Sequence, residues 1–226
     1  MIGLITDRES GRGKGTINYI DGNSYDGPFL NYLPDGEGMI RFSNGDIYKG
    51  NFRKGFFEGQ GEFKDHLGNT SRGQWRNGVK EGEVTEIYID GGKFQGNFVN
   101  NRKVGYGEFS WQDGTSYTGQ FDSDTINGNG LFVWPSGRTY NGEWKDGKMN
   151  GAGKLDYEDG NVYVGEFSDD ARHGNGVFTW KDGKVYDGGW KMNKQHGIAT
   201  LVLPSGKKVK AEFNEGEKVQ YIKNAK

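Results

Sequence analysis

The chain lacks the residues on which most catalytic sites and most globular cores depend. It contains no cysteine, three histidines and four prolines among 226 residues, and only 32% of the residues are hydrophobic. The absence of cysteine excludes disulfides and thiolate sites. Because no local acid–base pair accompanies the three histidines, we expect no enzyme activity, no metal site and no cofactor.

A strong net charge and long apolar runs are also missing. The 29 basic and 31 acidic residues leave a formal charge of −2, which gives no indication of a nucleic-acid partner. No apolar run approaches the roughly 18 residues of a membrane helix. The opening residues MIGLITDRES are too short and too polar for a signal peptide. We therefore expect a soluble, cytoplasmic protein.

Glycine and aromatic residues are abundant instead, and they recur with a period of 23 residues. Nine glycines anchor the repeat, at Gly22, Gly45, Gly68, Gly91, Gly114, Gly137, Gly160, Gly183 and Gly206. A second glycine follows each anchor by five positions, except at Ala211, and an aromatic residue follows it by seven. Because the register has no insertion or deletion, we predict a single domain over residues 1–226, with partial capping units at 1–21 and 214–226.

Each repeat is predicted to be a β-hairpin. On both sides of Gly114, glycine and aromatic residues alternate with other residues, which is the period of two strands that share one face. The three residues that end at an anchor, such as Gln112-Asp113-Gly114, suit a type I turn followed by a left-handed glycine. A three-residue loop places Phe109 opposite Tyr117, whereas a two-residue loop would separate the aromatic residues onto two faces.

The polar residues of the repeat do not form a catalytic pattern. His173 and His196 occupy equivalent positions one repeat apart, and two strands separate such positions by about 10 Å, which is too far for one metal ion. Glu143 and Glu166 fall on the face opposite the aromatic residues. We expect these glutamates to be solvated rather than catalytic.

The pattern resembles a known repeat family. Its residues are Gly137, Tyr140, Gly142 and Trp144, followed by Asn150, Gly151 and Gly153. It is similar to the MORN (membrane occupation and recognition nexus) repeat, and the match covers about nine-tenths of the chain. The fold class that we predict is all-β: an elongated single-layer antiparallel sheet of tandem 23-residue hairpins, which forms a groove if the sheet curls. The third unit departs from the pattern with Ser71 and Val84, and we expect a bend there.

The resemblance implies a scaffold or adaptor, in some members within cytoskeletal or ciliary assemblies. The aromatic face is then the candidate binding surface, and its spacing of about 10 Å per repeat matches that of anchors on an α-helix. We predict that a helical protein segment lies along this face. The predicted contact residues are Trp111, Tyr117, Trp134, Tyr140, Tyr163, Trp180 and Tyr186. The competing interpretation is that the tyrosines only pack over neighbouring glycines.

Two further surfaces and one further role remain alternatives. Valines recur on the opposite face, at Val133, Val162, Val164, Val177 and Val185, and they suggest self-association as a homodimer or ordinary strand composition. Lysines cluster at Lys207, Lys208 and Lys210, which is the one plausible contact with a phosphoinositide or another anionic membrane lipid. The resemblance also allows a regulatory segment of a larger protein.

The predicted shape can be tested by small-angle X-ray scattering. A compact protein of this length has a radius of gyration of about 17 Å, whereas a straight ladder of about 19 strands would be roughly 90 Å long. We expect a radius of gyration well above the compact value. A measured value at the compact figure would exclude the open array.

Overall fold

The computed structural model describes residues 2–7, for which only the backbone is considered, and residues 11–222. The predicted caps at 1–21 and 214–226 therefore lie partly outside the described residues. The chain divides into two compact units, residues 1–112 and residues 113–226, and each is described by itself. The interpretation of the whole chain as one domain stays a prediction.

Both units consist of short antiparallel strands joined by tight turns. The strands of the first unit are β1 (Ile2–Asp7), β2 (Arg12–Asn18), β3 (Ser24–Leu30), β4 (Leu33–Pro34), β5 (Gly36–Arg41), β6 (Ile47–Arg53), β7 (Phe56–Lys64), β8 (Thr70–Arg76), β9 (Val79–Ile87), β10 (Lys93–Val99) and β11 (Arg102–Ser110). Those of the second are β12 (Ser116–Asp122), β13 (Thr125–Val133), β14 (Thr139–Lys145), β15 (Lys148–Asp156), β16 (Val162–Ser168), β17 (Ala171–Thr179), β18 (Val185–Lys191), β19 (Lys194–Val202), β20 (Lys208–Asn214) and β21 (Glu217–Ile222). The predicted all-β fold of tandem hairpins is confirmed.

The anchor glycines close three-residue loops, as predicted. In the loop at Gly137, the amide of Trp134 donates to the carbonyl of Arg138 and the amide of Gly137 donates to the carbonyl of Trp134, both at 2.9 Å. Gly137 has φ of 88°, in the region that favours glycine. The hydrogen bonds are those of a type I turn followed by a left-handed residue.

A second kind of turn joins the strands at the ends opposite the anchor loops, as between β12 and β13. The sequence analysis missed this turn. Two consecutive residues there have positive φ, between 47° and 94°, as in the type I′ turns of two-residue hairpins. These turns are Asn31–Tyr32, Lys54–Gly55, Asn77–Gly78, Asn100–Asn101, Ser123–Asp124, Asp146–Gly147, Asp169–Asp170, Met192–Asn193 and Glu215–Gly216. Few of them have the Asn-Gly sequence that marks such a turn, so residue types alone did not reveal them.

The hairpins closed by these two-residue turns contain a β-bulge, whereas those closed by the anchor loops pair in regular register. Strands β12 and β13 pair Gly119 with Gly130 and then Phe121 with Ile126, so that Gln120 faces residues 127–129. A bulge removes backbone groups from the ladder, and these groups need other partners. The side chain of Gln120 accepts a hydrogen bond from the amide of Asn129 at 2.7 Å.

Glutamates fill the same role in the next two repeats. Glu143 accepts from the amide of Ala152 at 3.0 Å, and Glu166 accepts from the amide of Asn175 at 2.9 Å. The expectation that Glu143 and Glu166 are merely solvated is therefore corrected. Both are exposed side chains that also satisfy a backbone donor of the bulge.

The core is made of tyrosine rings that lie on a row of glycines. In the second unit the register connects Gly119 to Gly130, Gly142, Gly153, Gly165, Gly176 and Gly188 across successive strands. The ring of Tyr117 covers the first pair so closely that a Cβ atom on Gly130 would lie 2.3 Å from the tyrosine oxygen. The Tyr117 hydroxyl donates to the carbonyl of Gln120, the residue opposite the bulge, at 3.0 Å.

The third repeat replaces this arrangement with a different one. Ser71 stands where the other units have tyrosine or another large residue, and Val84 stands at the facing glycine position. Val84 is 2% exposed, and its Cγ2 atom would lie 3.0 Å from a Cβ atom on Gly73. The valine therefore fills space that a tyrosine ring occupies in six of the other repeats.

Ser71 and Val84 correspond to Tyr117 and Gly130 of the fifth repeat. We therefore predict that substitutions at Tyr117 and Gly130 are energetically coupled. We expect Gly130→Val alone to destabilise the protein by about 3 kcal/mol through overpacking. Tyr117→Ser alone should cost about 3 kcal/mol because it leaves a cavity. The double variant reproduces the Ser71–Val84 pair. In urea unfolding, its loss of unfolding free energy should be smaller than the sum of the two single losses by at least about 1 kcal/mol.

The control for this cycle is Gly137→Ala. A Cβ atom there meets nothing within 4 Å, so only the positive φ opposes the substitution, and we expect a cost of about 1 kcal/mol. If the losses of unfolding free energy from Gly130→Val and Tyr117→Ser simply add in the double variant, the tyrosine–glycine packing is contradicted.

Candidate functional site

The face of the sheet that carries the tyrosines is called the front face, and the opposite face is called the back face. The four tyrosines predicted to contact a partner, Tyr117, Tyr140, Tyr163 and Tyr186, are all 0% exposed. Their hydroxyls donate to backbone carbonyls three residues later, at 2.6–3.0 Å. Burial raises the pKa of Tyr140, Tyr163 and Tyr186. Direct contact between these rings and a partner is incompatible with this packing, which agrees with the competing interpretation that they are structural.

The three tryptophans of the prediction are placed differently. Trp111, in the first unit, and Trp134 and Trp180, in the second, are partly exposed on the front face. Each packs on the phenylalanine two residues earlier in its strand: the ring centroids are 4.3 Å apart for Trp111 on Phe109, and 4.5 and 4.8 Å apart for the other two pairs. All three tryptophans therefore keep only part of their surface exposed.

The second unit has one such side chain in every repeat, three residues before the anchor glycine. These residues are Trp134, Tyr157, Trp180 and Leu203, and all four are partly exposed. They are called the front-face row. The sequence prediction included only the tryptophans at this position, so Tyr157 and Leu203 were not among its candidates.

Cationic side chains lie over the rings of the front face. The guanidinium carbon of Arg138 is 4.4 Å from the centroid of Trp134, and the ammonium nitrogen of Lys184 is 4.6 Å from that of Trp180. Arg172 lies 4.3 Å from the centroid of Trp190. Such cation–π contacts are favourable, and here they give an aromatic surface a positive rim. A cleft of about 330 Å³ beside them is lined by Arg172, Phe178, Trp180 and Trp190.

A buried charge cluster lies on the front face of the first unit, and sequence reasoning missed it. Glu86 is 6% exposed and pairs with Lys80 and with Lys103, the latter at 2.9 Å, while the Tyr88 hydroxyl donates to it. Burial by itself would raise the pKa of Glu86, but the hydrogen bonds from Lys80, Tyr88 and Lys103 together lower it to about 2. Glu86 therefore remains ionised inside an aromatic surface.

A signal for this cluster was present in the repeat. The position five residues before the anchor is apolar in the other eight units, namely Ile17, Ile40, Phe63, Phe109, Phe132, Leu155, Phe178 and Leu201. Only the fourth unit has a charged residue there. A comparison of the repeats column by column would have identified Glu86 as an exception.

The back face brings together most of the predicted valine patch. Val164 pairs with Val177 on the next strand, and Val162 and Val185 both pair with Thr179 between them. Val133 lies apart, because Thr139 and Asp156 stand between it and Val162 in the register. Of the five valines, Val164 is 50% exposed and the others are partly buried.

The predicted lysine cluster lies at the end of the second unit. Lys207, Lys208 and Lys210 are exposed and line a concavity of about 820 Å³ together with Asp187 and Tyr221. A hydrogen bond from Lys218 lowers the pKa of Tyr221, with smaller contributions from the charges of Lys184 and Lys207. The surroundings of Tyr221 are therefore electropositive.

The part of the chain that the structure describes contains no group of three or more metal-ligating side chains. It also contains no helix that is long and apolar enough to cross a membrane.

The ionised state of Glu86 predicts a pH-dependent stability. Because its pKa is lowered from the ordinary value of 4.5 to about 2, its stabilising contribution is complete above pH 4.5 and is lost as the pH falls through about 2. At pH 7 we expect Glu86→Gln to lose about 3 kcal/mol of unfolding free energy, because two ammonium groups lose their buried partner. Urea unfolding at pH 7 and at pH 3 should show that the difference from the unmodified protein narrows in acid.

Glu83→Gln is the matched control, since Glu83 is exposed on the same strand. It should change stability little at either pH. A difference for Glu86→Gln that does not vary with pH would show that the carboxylate is not held ionised.

Comparisons with known proteins bear on the fold and the family. The MORN repeat family model matches residues 25–47, 48–66, 72–93, 94–116, 117–137, 140–162, 163–185 and 186–208. Among solved structures, the wild-type TCP10 domain of Danio rerio CPAP is similar in fold at 11% identity, with a TM-score of 0.50, over 92% of this chain and 99% of that one.

A second solved structure is the SAS-4 (dCPAP) TCP domain of Drosophila melanogaster, in complex with a proline-rich motif of Ana2 (dSTIL). It is 16% identical, with a TM-score of 0.31, over 87% of this chain and 88% of that one. No curated protein sequence matches the chain. Since the eight matched segments cover most of the residues, the chain belongs to the MORN repeat family.

Proposed function

We propose that this chain is a non-enzymatic scaffold whose front face binds a helical segment of a protein partner. The observation that carries the proposal is the front-face row, which offers one large, partly exposed side chain in each repeat of the second unit. Partly exposed aromatic residues are frequent anchors of protein interfaces. The positive rim of Arg138, Arg172 and Lys184 would favour acidic residues beside the apolar stripe of the partner.

The spacing of the row supports a helix over an extended peptide. Two strands separate equivalent residues by about 10 Å. An α-helix places anchors on one face every seven residues, which is also about 10 Å. An extended peptide reaches this distance in about three residues, which conflicts with its two-residue alternation. A helix can therefore present one anchor to each repeat along its length.

The cellular setting and the oligomeric state belong to the same proposal. A scaffold of this family suits a cytoplasmic, cytoskeleton- or cilium-associated assembly. The partner would then be a cytoskeletal component. Val162, Val164, Val177 and Val185 form a contiguous apolar area on the back face, which suits self-association and leaves the front face available.

A second candidate function is association with an anionic membrane surface. It is favoured by the exposed Lys207, Lys208 and Lys210 around an electropositive concavity. Flotation with phosphoinositide-containing vesicles should then depend on these lysines. If glutamate substitutions at all three positions leave flotation unchanged, this candidate is excluded.

The front-face proposal is tested by photo-cross-linking and alanine substitution. We expect benzoylphenylalanine at Tyr157 to capture the partner, and benzoylphenylalanine at the exposed back-face residue Asn141 not to capture it. Trp134→Ala and Trp180→Ala should each weaken binding by about 2 kcal/mol in a titration with the captured partner. Thermal melts of each variant separate loss of binding from loss of folding.

The matched control is Val164→Lys with Val185→Lys, which alters the back face alone. It should leave partner binding unchanged and should reduce any self-association. Capture from position 141 and none from position 157 would overturn the front-face proposal.

A further inference from the structure

A cleft opens on the front face of the first unit, at the same place in the repeat as the cleft beside Trp180 in the second unit. It has a volume of about 430 Å³ and runs along β7, β8 and β9. Its lining includes Phe57, Phe63, Ser71, Trp75, Lys80 and Tyr88. This space is called the β7–β9 cleft.

The cleft lies where three large side chains of the repeat are replaced by polar ones. Asp65 occupies the position three residues before the anchor, where the other units have Tyr19, Phe42, Tyr88, Trp111, Trp134, Tyr157, Trp180 and Leu203. Ser71 replaces the core tyrosine, and Glu86 replaces the apolar residue of the fourth unit. The register pairs Ser71 with Phe63 on one side and with Glu86 on the other. The three exceptions are therefore neighbours.

Other repeats show what the missing ring would do. Two residues after Phe109, Phe132 and Phe178 comes a tryptophan whose ring packs on the phenylalanine at 4.3–4.8 Å. The equivalent phenylalanine at the cleft is Phe63, and two residues after it comes Asp65. Phe63 therefore lacks the neighbouring tryptophan ring that packs on Phe109, Phe132 and Phe178.

Asp65 is fully engaged in the turn instead of reaching over Phe63. One of its carboxylate oxygens accepts the amides of Leu67, Gly68 and Asn69 at 2.8–3.0 Å. The other accepts the side-chain amide of Asn69 at 2.7 Å. These hydrogen bonds hold the carboxylate in the loop, so the space over Phe63 stays open to the cleft.

The walls and the floor suit an aromatic guest. The rings of Phe63 and Trp75 are 6.2 Å apart and inclined by 51°, so a third ring can meet one by its face and the other by its edge. The floor carries the hydroxyl of Ser71 and the buried pair of Lys80 and Glu86. The Ser71 hydroxyl donates to Glu86 at 3.4 Å, so its oxygen can still accept a hydrogen bond from an indole or a phenol, which a purely aliphatic guest cannot donate.

We propose that the β7–β9 cleft binds an aromatic side chain of a protein partner, with its ring packed on Phe63 in the position that tryptophan occupies in three other repeats. This inference rests on the proposed function, because it assumes a protein partner. It concerns the first unit, whereas the front-face row lies in the second. The partner then supplies to Phe63 the kind of ring that packs on Phe109, Phe132 and Phe178 in their own repeats.

The test uses N-acetyltryptophanamide as the probe and saturation-transfer NMR with the full chain as the measurement. We expect binding to the unmodified protein and to Asp65→Asn, which removes the charge but leaves the cleft open. Asp65→Trp places a tryptophan over Phe63, in the space of the proposed guest ring, so the probe should bind about tenfold more weakly. Equal binding to Asp65→Trp and to Asp65→Asn would overturn the proposal.

Two controls keep the result interpretable. Phe63→Leu retains an apolar side chain but removes the ring face, and it should weaken binding even if Asp65→Trp disturbs the fold. N-acetylleucinamide should bind much more weakly than the tryptophan derivative, and equal binding would show an unselective apolar cleft and reject the proposal. The double variant Trp134→Ala with Trp180→Ala should keep the cleft-dependent signal, which separates this inference from the front-face row.

Discussion

The structure depends on one contact that recurs in most repeats, a tyrosine ring lying flat on two facing glycines. The ring needs both glycines, because a Cβ atom on either would come within about 2.5 Å of it, as at Gly119 and Gly130 beneath Tyr117. The tyrosine hydroxyl also satisfies the carbonyl opposite the β-bulge. A single side chain therefore supplies the apolar core and a backbone hydrogen bond at once. This explains how a chain with few aliphatic residues can build a core on one face of a sheet.

The same contact decides which residues are available to other molecules. Because the tyrosines that lie on the glycine pairs form the lowest layer of the front face, they are fully buried. The residues nearer the anchor loops pack on top of that layer and stay partly exposed, as Trp134 does on Phe132. The partly exposed aromatic residues of this face therefore lie one layer above the tyrosines that define its repeat.

Departures from the repeat are correlated rather than random. Val84 occupies the space that the absence of a tyrosine at Ser71 leaves, and Glu86 beside them is neutralised by Lys80 and Lys103. A buried carboxylate requires such partners, because its desolvation is otherwise too costly. These substitutions keep the sheet intact while they change the chemistry of one front-face site.

The sequence by itself determined the 23-residue period, the hairpin in each repeat, the three-residue loop at each anchor glycine and the face that the aromatic residues share. These features are local, because they follow from side-chain alternation and from turn preferences over a few residues. The type I′ turns and the bulges were decided by how the strands pair, which residue types only weakly indicate. Only the tertiary structure decided that Tyr140 is buried while Trp134 is partly exposed, and that Glu86 meets Lys80 and Lys103. Burial and charge pairing depend on side chains brought in by neighbouring hairpins, and a repeat considered alone contains none of them.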